Sequence, residues 1–235
     1  MTSFVEIRGK IFEGVFERRL TRFSALVRVN GEIAQCFLPN PGRLRELLIS
    51  GVKVILKEAE AGGERKTIYD LLGVYSGGKI VSIDSRLPNK LVLEALNNGD
   101  LPEFLGYTMV KPEYSYGHAK FDFFLEGSGL KPRLLEVKSC TLVRNGVAMF
   151  PDAPTERGTR HVLELAKALN EGYRAAVLFV IQRMDAYMFT PNDETDPNFG
   201  EALRKAAESG VEVYAYSTNF NKNRISLCGK VKVAL

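Results

Sequence analysis

Two short apolar segments hold the residues best suited to chemistry. Phe121-Asp122-Phe123 sets one carboxylate among aromatic rings, and Leu134-Leu135-Glu136-Val137-Lys138 follows it. Successive side chains of an extended chain point to opposite faces, so Glu136 and Lys138 share one face and Leu135 and Val137 the other. Charged groups on so apolar a strand are costly to bury without a purpose. With Asp122 on a neighbouring strand, two carboxylates and one ammonium converge. That donor set suits Mg²⁺ or Mn²⁺, which take oxygen ligands and keep several waters. Such an ion lowers the pKa of a bound water and neutralises phosphate charge. Lys138 is then placed to hold that hydroxide or to stabilise the charge building up in the transition state. A solvated strand edge with a cross-strand ion pair is the competing reading of the same residues.

A second group lies in Phe150-Pro-Asp-Ala-Pro-Thr-Glu-Arg-Gly-Thr-Arg-His161. Thr155 reads as a helix N-cap, with Glu156 near the positive end of the helix dipole. Arg157, His161 and Glu164 then fall on one face, with Arg160 beside them. Arg157, Arg160 and His161 next to a metal-binding strand would clamp phosphates; an exposed polar helix face is the alternative. Nearer the N-terminus, Arg18-Arg19-Leu20-Thr21-Arg22-Phe23 interleaves guanidiniums with an aromatic ring. Asn40, Arg43 and Arg45 mark a loop-to-helix junction where backbone N–H groups favour an anion. Phe12, Phe16, Phe23 and Phe37 are read mostly as core.

The elements that must position these groups divide at about residue 86. Residues 1–85 are β-rich: a long strand over 5–16 bent at Gly9 and Gly14, a hairpin of 24–29 and 32–38 joined by Asn30-Gly31, and strands over 52–58, 69–75 and 79–83. Asn-Gly is a strong two-residue hairpin signal because both residues tolerate positive φ. A short helix is expected over 43–49, with Leu44, Leu47 and Leu48 on one side. Five or six short strands with one brief helix predict a Greek-key barrel of the OB type. Residues 86–235 instead alternate helix and strand: helices over 90–97, 155–170 and 198–209, and strands over 107–114, 120–125, 134–143, 174–182 and 211–216. This is an α/β pattern, expected as a mixed central sheet. The near-continuous apolar run in 174–182 predicts a strand covered on both faces.

The 235 residues, 45% hydrophobic and 26% charged, exclude wholesale disorder and allow two modest cores. No apolar run approaches the length of a membrane-spanning helix, and charges come too early for a secretory signal. Cys36, Cys140 and Cys228 are sparse and far apart, which argues against a disulfide framework or structural zinc and points to the cytosol. Net charge is +4, with 13 basic and 10 acidic side chains in residues 1–85. That balance is compatible with a nucleic-acid partner without requiring one.

An Asp followed after about a dozen residues by Glu-x-Lys resembles the PD-(D/E)xK nuclease superfamily. There an acidic residue on the preceding helix often joins the metal site, a position that Glu94 matches. Longer blocks resemble the sugar fermentation stimulation protein A (SfsA) family: Leu38-Pro-Asn-Pro-Gly-Arg-Leu44, Glu136-Val-Lys-Ser-Cys-Thr-Leu142, Phe150-Pro-Asp-Ala153, Arg157-Gly158, His161 with Glu164-Leu165, and Gln182-Arg183-Met-Asp185 followed by Asp196-Pro197. The resemblance implies an OB fold joined to a nuclease-like domain and DNA binding linked to sugar (maltose) metabolism, with Arg183 among the nucleic-acid contacts. Where family members tend to have Ser-Arg, this chain has Ala119-Lys120; Lys120 keeps a charge for phosphate but not a bidentate fork. Two functions are open. One is a Mg²⁺- or Mn²⁺-dependent phosphodiesterase on DNA, with Asp122, Glu136 and Glu94 at the metal and Lys138 as electrostatic partner. The other is a DNA-binding regulator with an idle nuclease-like site. Double-stranded DNA is the expected partner, with single strands as the alternative.

Overall fold

The computed structural model describes residues 2–59, 67–117 and 119–235. The chain starts outside the barrel. β1 (Phe4–Glu6) pairs antiparallel with the late strand β16 (Arg224–Lys230). The expected single strand over 5–16 is therefore two, and residues 4–6 belong to the second sheet although the boundary was drawn at 86. The reason is apolar: Val5 and Ile7 pack on the α/β core, and Gly9, at φ 110°, lets the chain turn toward the barrel.

The barrel uses β2 (Ile11–Thr21), β3 (Ser24–Val29), β4 (Glu32–Phe37), β5 (Lys53–Glu58) and β6 (Tyr69–Ser76). β2 pairs with β3, β3 with β4, and β5 with both β2 and β6; parallel β4–β6 rungs at Cys36↔Tyr69 and Phe37↔Asp70 close the ring. This is an OB-type barrel. Asn30 and Gly31 take φ of 51° and 89°, as the hairpin requires. At Gly14 a Cβ would lie 2.6 Å from Val27 Cγ1, so only glycine allows the strands to approach so closely. β7 (Lys79–Ser82) extends the barrel sheet beside β6.

Residues 43–49 form turns, not the expected helix. Leu44 sits at φ 52°, outside the right-handed helical region, and the carbonyls that a first turn would use are bound elsewhere. Leu44 N–H donates to Asp152 at 3.2 Å, and Arg19 takes the carbonyls of Gly42 and Arg43 at 2.6 and 2.9 Å. Leu44 and Leu47 are buried all the same.

The α/β domain follows with α1 (Leu87–Asn98), β8 (Met109–Tyr116), β9 (Ala119–Glu126), β10 (Arg133–Cys140), β11 (Val143–Arg144), β12 (Val147–Phe150), α2 (Glu156–Asn170), β13 (Arg174–Ile181), β14 (Met188–Pro191), α3 (Pro197–Glu208), β15 (Glu212–Phe220), β16 and β17 (Lys232–Val233). The seven-stranded sheet has the order β1-β16-β15-β13-β10-β9-β8, and a four-stranded sheet has the order β11-β12-β14-β17. β10, β13 and β15 run parallel. α1 lies on one face, with Leu91, Val92 and Ala95 in the same core as Leu135 and Val137. α2 and α3 lie on the other, with Val162, Leu165 and Leu203 in the core of Phe121 and Phe179. β13, between these layers, is buried from Ala175 to Ile181, which accounts for its unbroken apolar run.

A buried hydrogen-bond chain fastens barrel to sheet. Ser82 Oγ donates to Gln182 Oε1 at 2.8 Å, and Gln182 Nε2 donates to Ser139 Oγ at 2.8 Å. Gln182 and Ser82 are both wholly buried. Removing one member of such a chain strands its partners away from water. Gln182→Ala is expected to lower unfolding stability by about 2 kcal/mol, read as a fall in the urea midpoint. An unchanged midpoint would show that the chain does not hold the two domains together.

Candidate active site

The β9–β10 ladder runs Arg133↔Leu125, Leu134↔Phe124, Leu135↔Phe123 and stops there. The next rung would have paired Asp122 with Glu136. Instead the Asp122 carboxylate enters the gap and accepts the Val137 N–H at 2.7 Å. A side chain thus replaces the missing backbone acceptor.

Each carboxylate is then held from a different face of the sheet. On the α1 side, Asn89 Nδ2 donates to Asp122 Oδ1 at 2.6 Å. On the α2 side, His161 Nδ1 lies 2.7 Å and Lys138 Nζ 2.5 Å from Glu136 Oε1. Glu136 and His161 are 4% exposed, so neither is a surface group. Thr155 caps α2 as expected, its hydroxyl accepting from Gly158 N–H at 3.0 Å. That cap starts the helix so that His161, two turns in, meets Glu136.

Burial pushes the Asp122 carboxyl up to about 6, and the negative charge of Glu136 adds to the rise; the Val137 and Asn89 hydrogen bonds offset only part of it. Burial acts on Glu136 in the same sense, but Lys138 and His161 outweigh it and hold that carboxyl below its ordinary value. One acid of the pair is thus firmly ionised, while the other resists full ionisation until about neutral pH. Glu136 Oε2 is buried and makes no hydrogen bond. A buried, ionised oxygen without a partner is a ready acceptor for a cation, and the all-oxygen donor pair matches a hard one.

The sequence-predicted residues fall into separate groups. Asp122, Glu136 and Lys138 come together. Glu94 does not join them: it is exposed on α1, five residues and so about 140° around the helix from Asn89. Among the described residues, no three His, Cys, Asp or Glu side chains form a metal-holding group. His161, expected at a phosphate, is 4% exposed and supports Glu136. Arg157 is exposed and donates to His161 Nε2 at 3.3 Å. Arg160 instead lines a groove beside Leu163, on the side of α2 toward Asn198 of α3. Lys120 is paired with Glu113 at 2.7 Å. Arg183 is nearly buried and makes a bidentate pair with Asp185 at 2.6 and 2.7 Å.

In the barrel, the guanidinium of Arg19 donates to the carbonyls of Thr21, Arg22, Asn40, Gly42 and Arg43. Arg19, expected at a phosphate, is thus engaged as a staple between the β2–β3 turn and the loop at 40–43. Asn40 is also structural, since its amide donates to Ile83 O and accepts from Gly42 N–H. Arg18, Arg22 and Arg43 are exposed on the barrel. Sequence reasoning missed Asn89, because Pro88-Asn89 reads as the approach to a helix. The helix starts at Leu87, with Pro88 in its first turn, which carries Asn89 onto Asp122.

Fold and centre together define the class: a mixed-sheet α/β domain with a buried carboxylate pair, joined to an OB-type barrel. Comparison with known proteins agrees. The family model described as "SfsA N-terminal OB domain" matches residues 18–83, and "Sugar fermentation stimulation protein RE domain" matches residues 86–224. Sugar fermentation stimulation protein homologs from Caldanaerobacter subterraneus subsp. tengcongensis and Moorella thermoacetica are 48% and 45% identical, over 97% and 98% of this chain and 99% and 100% of theirs. A solved structure of Pyrococcus furiosus SfsA in complex with Ca²⁺ is 34% identical, covers 100% of both chains and superposes with a TM-score of 0.91. The chain belongs to the sugar fermentation stimulation protein (SfsA) family.

The raised Asp122 value gives a stability test. A carboxyl whose folded pKa of about 6 lies above the ordinary 3.8 carries no penalty below pH 4 and a full one above pH 6. Asp122→Asn removes that penalty. Its stability relative to the parent should therefore be more favourable at pH 8 than at pH 4, by about 2 kcal/mol, as read from urea unfolding at both pH values. An equal difference at both would refute the assignment.

Proposed function

We propose that the chain binds DNA and hydrolyses a phosphodiester bond at the Asp122–Glu136 centre with the help of a divalent cation. The observation that carries this reading is the unpartnered Glu136 Oε2 beside Asp122, with Lys138 and His161 both bound to the other Glu136 oxygen. Those two supports hold the carboxylate in one orientation, so the free oxygen points where a cation can use it. Asp122, fixed by Asn89 and Val137, would be the second protein ligand; Mg²⁺ commonly binds through one or two carboxylates plus water and substrate phosphate. The Ca²⁺ carried by the Pyrococcus furiosus relative supports a hard divalent ion here. When bound, the ion supplies positive charge to a phosphate oxygen and makes a coordinated water more acidic.

The chain's own residues do the rest. Lys138 spends one donor on Glu136 and has two left for a phosphate oxygen as negative charge grows on it. Its charge also keeps Glu136 ionised. His161 positions Glu136, and its other ring nitrogen is taken by Arg157, which fixes the ring. Arg157 itself is exposed above the centre and adds positive potential where a phosphate backbone would pass.

The test is incubation with labelled single- and double-stranded DNA in Mg²⁺, Mn²⁺ or EDTA. Products should form only with metal, and Glu136→Ala and Lys138→Ala should each reduce the rate by at least about a hundredfold. Calorimetric Ca²⁺ binding should be lost in Glu136→Ala and kept in Lys138→Ala. DNA binding with no products under any metal would leave a binding role alone. Affinity should also fall steeply with salt if phosphate contacts dominate, and a flat salt response would count against them.

A further inference from the structure

The turn between β2 and β3 carries an aromatic ring that neither barrel packing nor the hydrolytic centre explains. Phe23 is 45% exposed, whereas Phe16, read as core alongside it, is buried. The Phe23 ring lies nearly parallel to that of Phe37, with centroids 6.5 Å apart and planes 25° apart. Cations approach both rings: the guanidinium of Arg22 is 5.5 Å from the Phe23 centroid, and that of Arg86 is 5.6 Å from the Phe37 centroid. The turn is fixed rather than loose. Phe23 N–H donates to Thr21 Oγ1 at 3.2 Å, and Phe23 O accepts from Leu38 N–H at 2.9 Å. Leaving a ring this size half in water forgoes burial energy, and a prepositioned, solvent-facing ring is free to take an occupant.

The surroundings indicate which. Arg18, Arg22, Arg43 and Arg45 are exposed, and their side chains make no hydrogen bond or ion pair among the described residues. Arg18, Arg43 and Arg45 line one cleft. Arg22 lines another, of about 240 Å³, whose lining includes Ser139. Ser139 is the residue after Lys138, so this second cleft connects the aromatic turn to the strand that carries the hydrolytic centre. In OB folds the loop between the first two barrel strands is one of those that contact oligonucleotides; Phe23 occupies it here.

We propose that Phe23, backed by Phe37, is a stacking platform for an unpaired DNA base, with the surrounding arginines taking the flanking phosphates. A base within a duplex has both faces covered by its neighbours, so the ring selects strand that is single or locally open. Every base has a face to stack, so the preference is for unpaired structure and not for sequence. This inference rests on the DNA-binding reading and names the form of DNA that the barrel accepts.

The chain has no tryptophan, so Phe23→Trp places a single fluorophore on the platform. All measurements are made in EDTA, which separates binding from hydrolysis. A twelve-nucleotide oligothymidylate should quench that tryptophan, and a blunt duplex of equal length should not. By fluorescence anisotropy, Phe23→Ala and Phe23→Leu should weaken oligothymidylate binding about tenfold, leave duplex binding unchanged, and be rescued by Phe23→Tyr. Bound oligothymidylate without quenching, or equal losses for single strand and duplex, would overturn the platform. Oligothymidylate bound equally well by the parent, Phe23→Ala and Phe23→Leu would do the same, and metal-dependent cleavage in the separate assay above would leave the proposed hydrolysis standing. No binding of either DNA would overturn both.

Discussion

The parting of β9 and β10 beyond Leu135↔Phe123 is the constraint on which the rest of the centre depends. A continued ladder would have satisfied Val137 N–H with backbone and left Asp122 and Glu136 as neighbours on an ordinary sheet. Because the strands separate, the Asp122 side chain becomes the acceptor for that N–H, and its carboxylate is drawn into the opening beside Glu136. Like charges brought together under partial burial are unfavourable. The molecule answers with one donor from each helical layer, Asn89 from α1 and His161 from α2, and with Lys138 on the strand itself. Each support engages one oxygen, and Glu136 Oε2 is left buried without a hydrogen bond.

The barrel is set against this centre by specific polar contacts, not by apolar packing alone. Ser82, Gln182 and Ser139 form one buried chain, and Asp152 reaches from the α/β domain to the Leu44 amide. Arg19 holds the same loop through three carbonyls, those of Asn40, Gly42 and Arg43, and ties it to the β2–β3 turn through those of Thr21 and Arg22. Arginines close in sequence therefore do different work. Arg19 is spent on backbone geometry, while Arg18 and Arg22 stay on the surface because β2 and its turn leave them outside the barrel.

Much of this was legible in the sequence where local chemistry decided the outcome. Asn30-Gly31 specified its hairpin, the apolar run of 174–182 specified a strand buried on both faces, and Glu-x-Lys alternation put Glu136 and Lys138 on one face. What was not legible depended on long-range partners. Leu44, Leu47 and Leu48 have helical spacing, but Leu44 sits at φ 52° and Arg19, more than twenty residues away, takes the carbonyls of Gly42 and Arg43 that a first helical turn would use. His161 looks like a surface cation beside two arginines until the fold turns it inward to Glu136. Glu94 has the right charge on the right helix but the wrong flank, and an uncharged residue, Asn89, supports Asp122 instead. β1 was unreadable as part of the second sheet because its partner, β16, lies at the other end of the chain.

That last pairing has a mechanical consequence. With β1 anchored beside β16 and α1 packed on the same sheet, the barrel is a loop of chain spliced into the α/β domain, entering through residues 7–10 and leaving through 83–86. A module hung from one linker can spin; one suspended at two points can only rock about the line that joins them. The span from the exposed ring on the first barrel turn to the paired acids is then nearly fixed, and under the proposed reading it sets how many nucleotides lie between a stacked base and the bond at the acids.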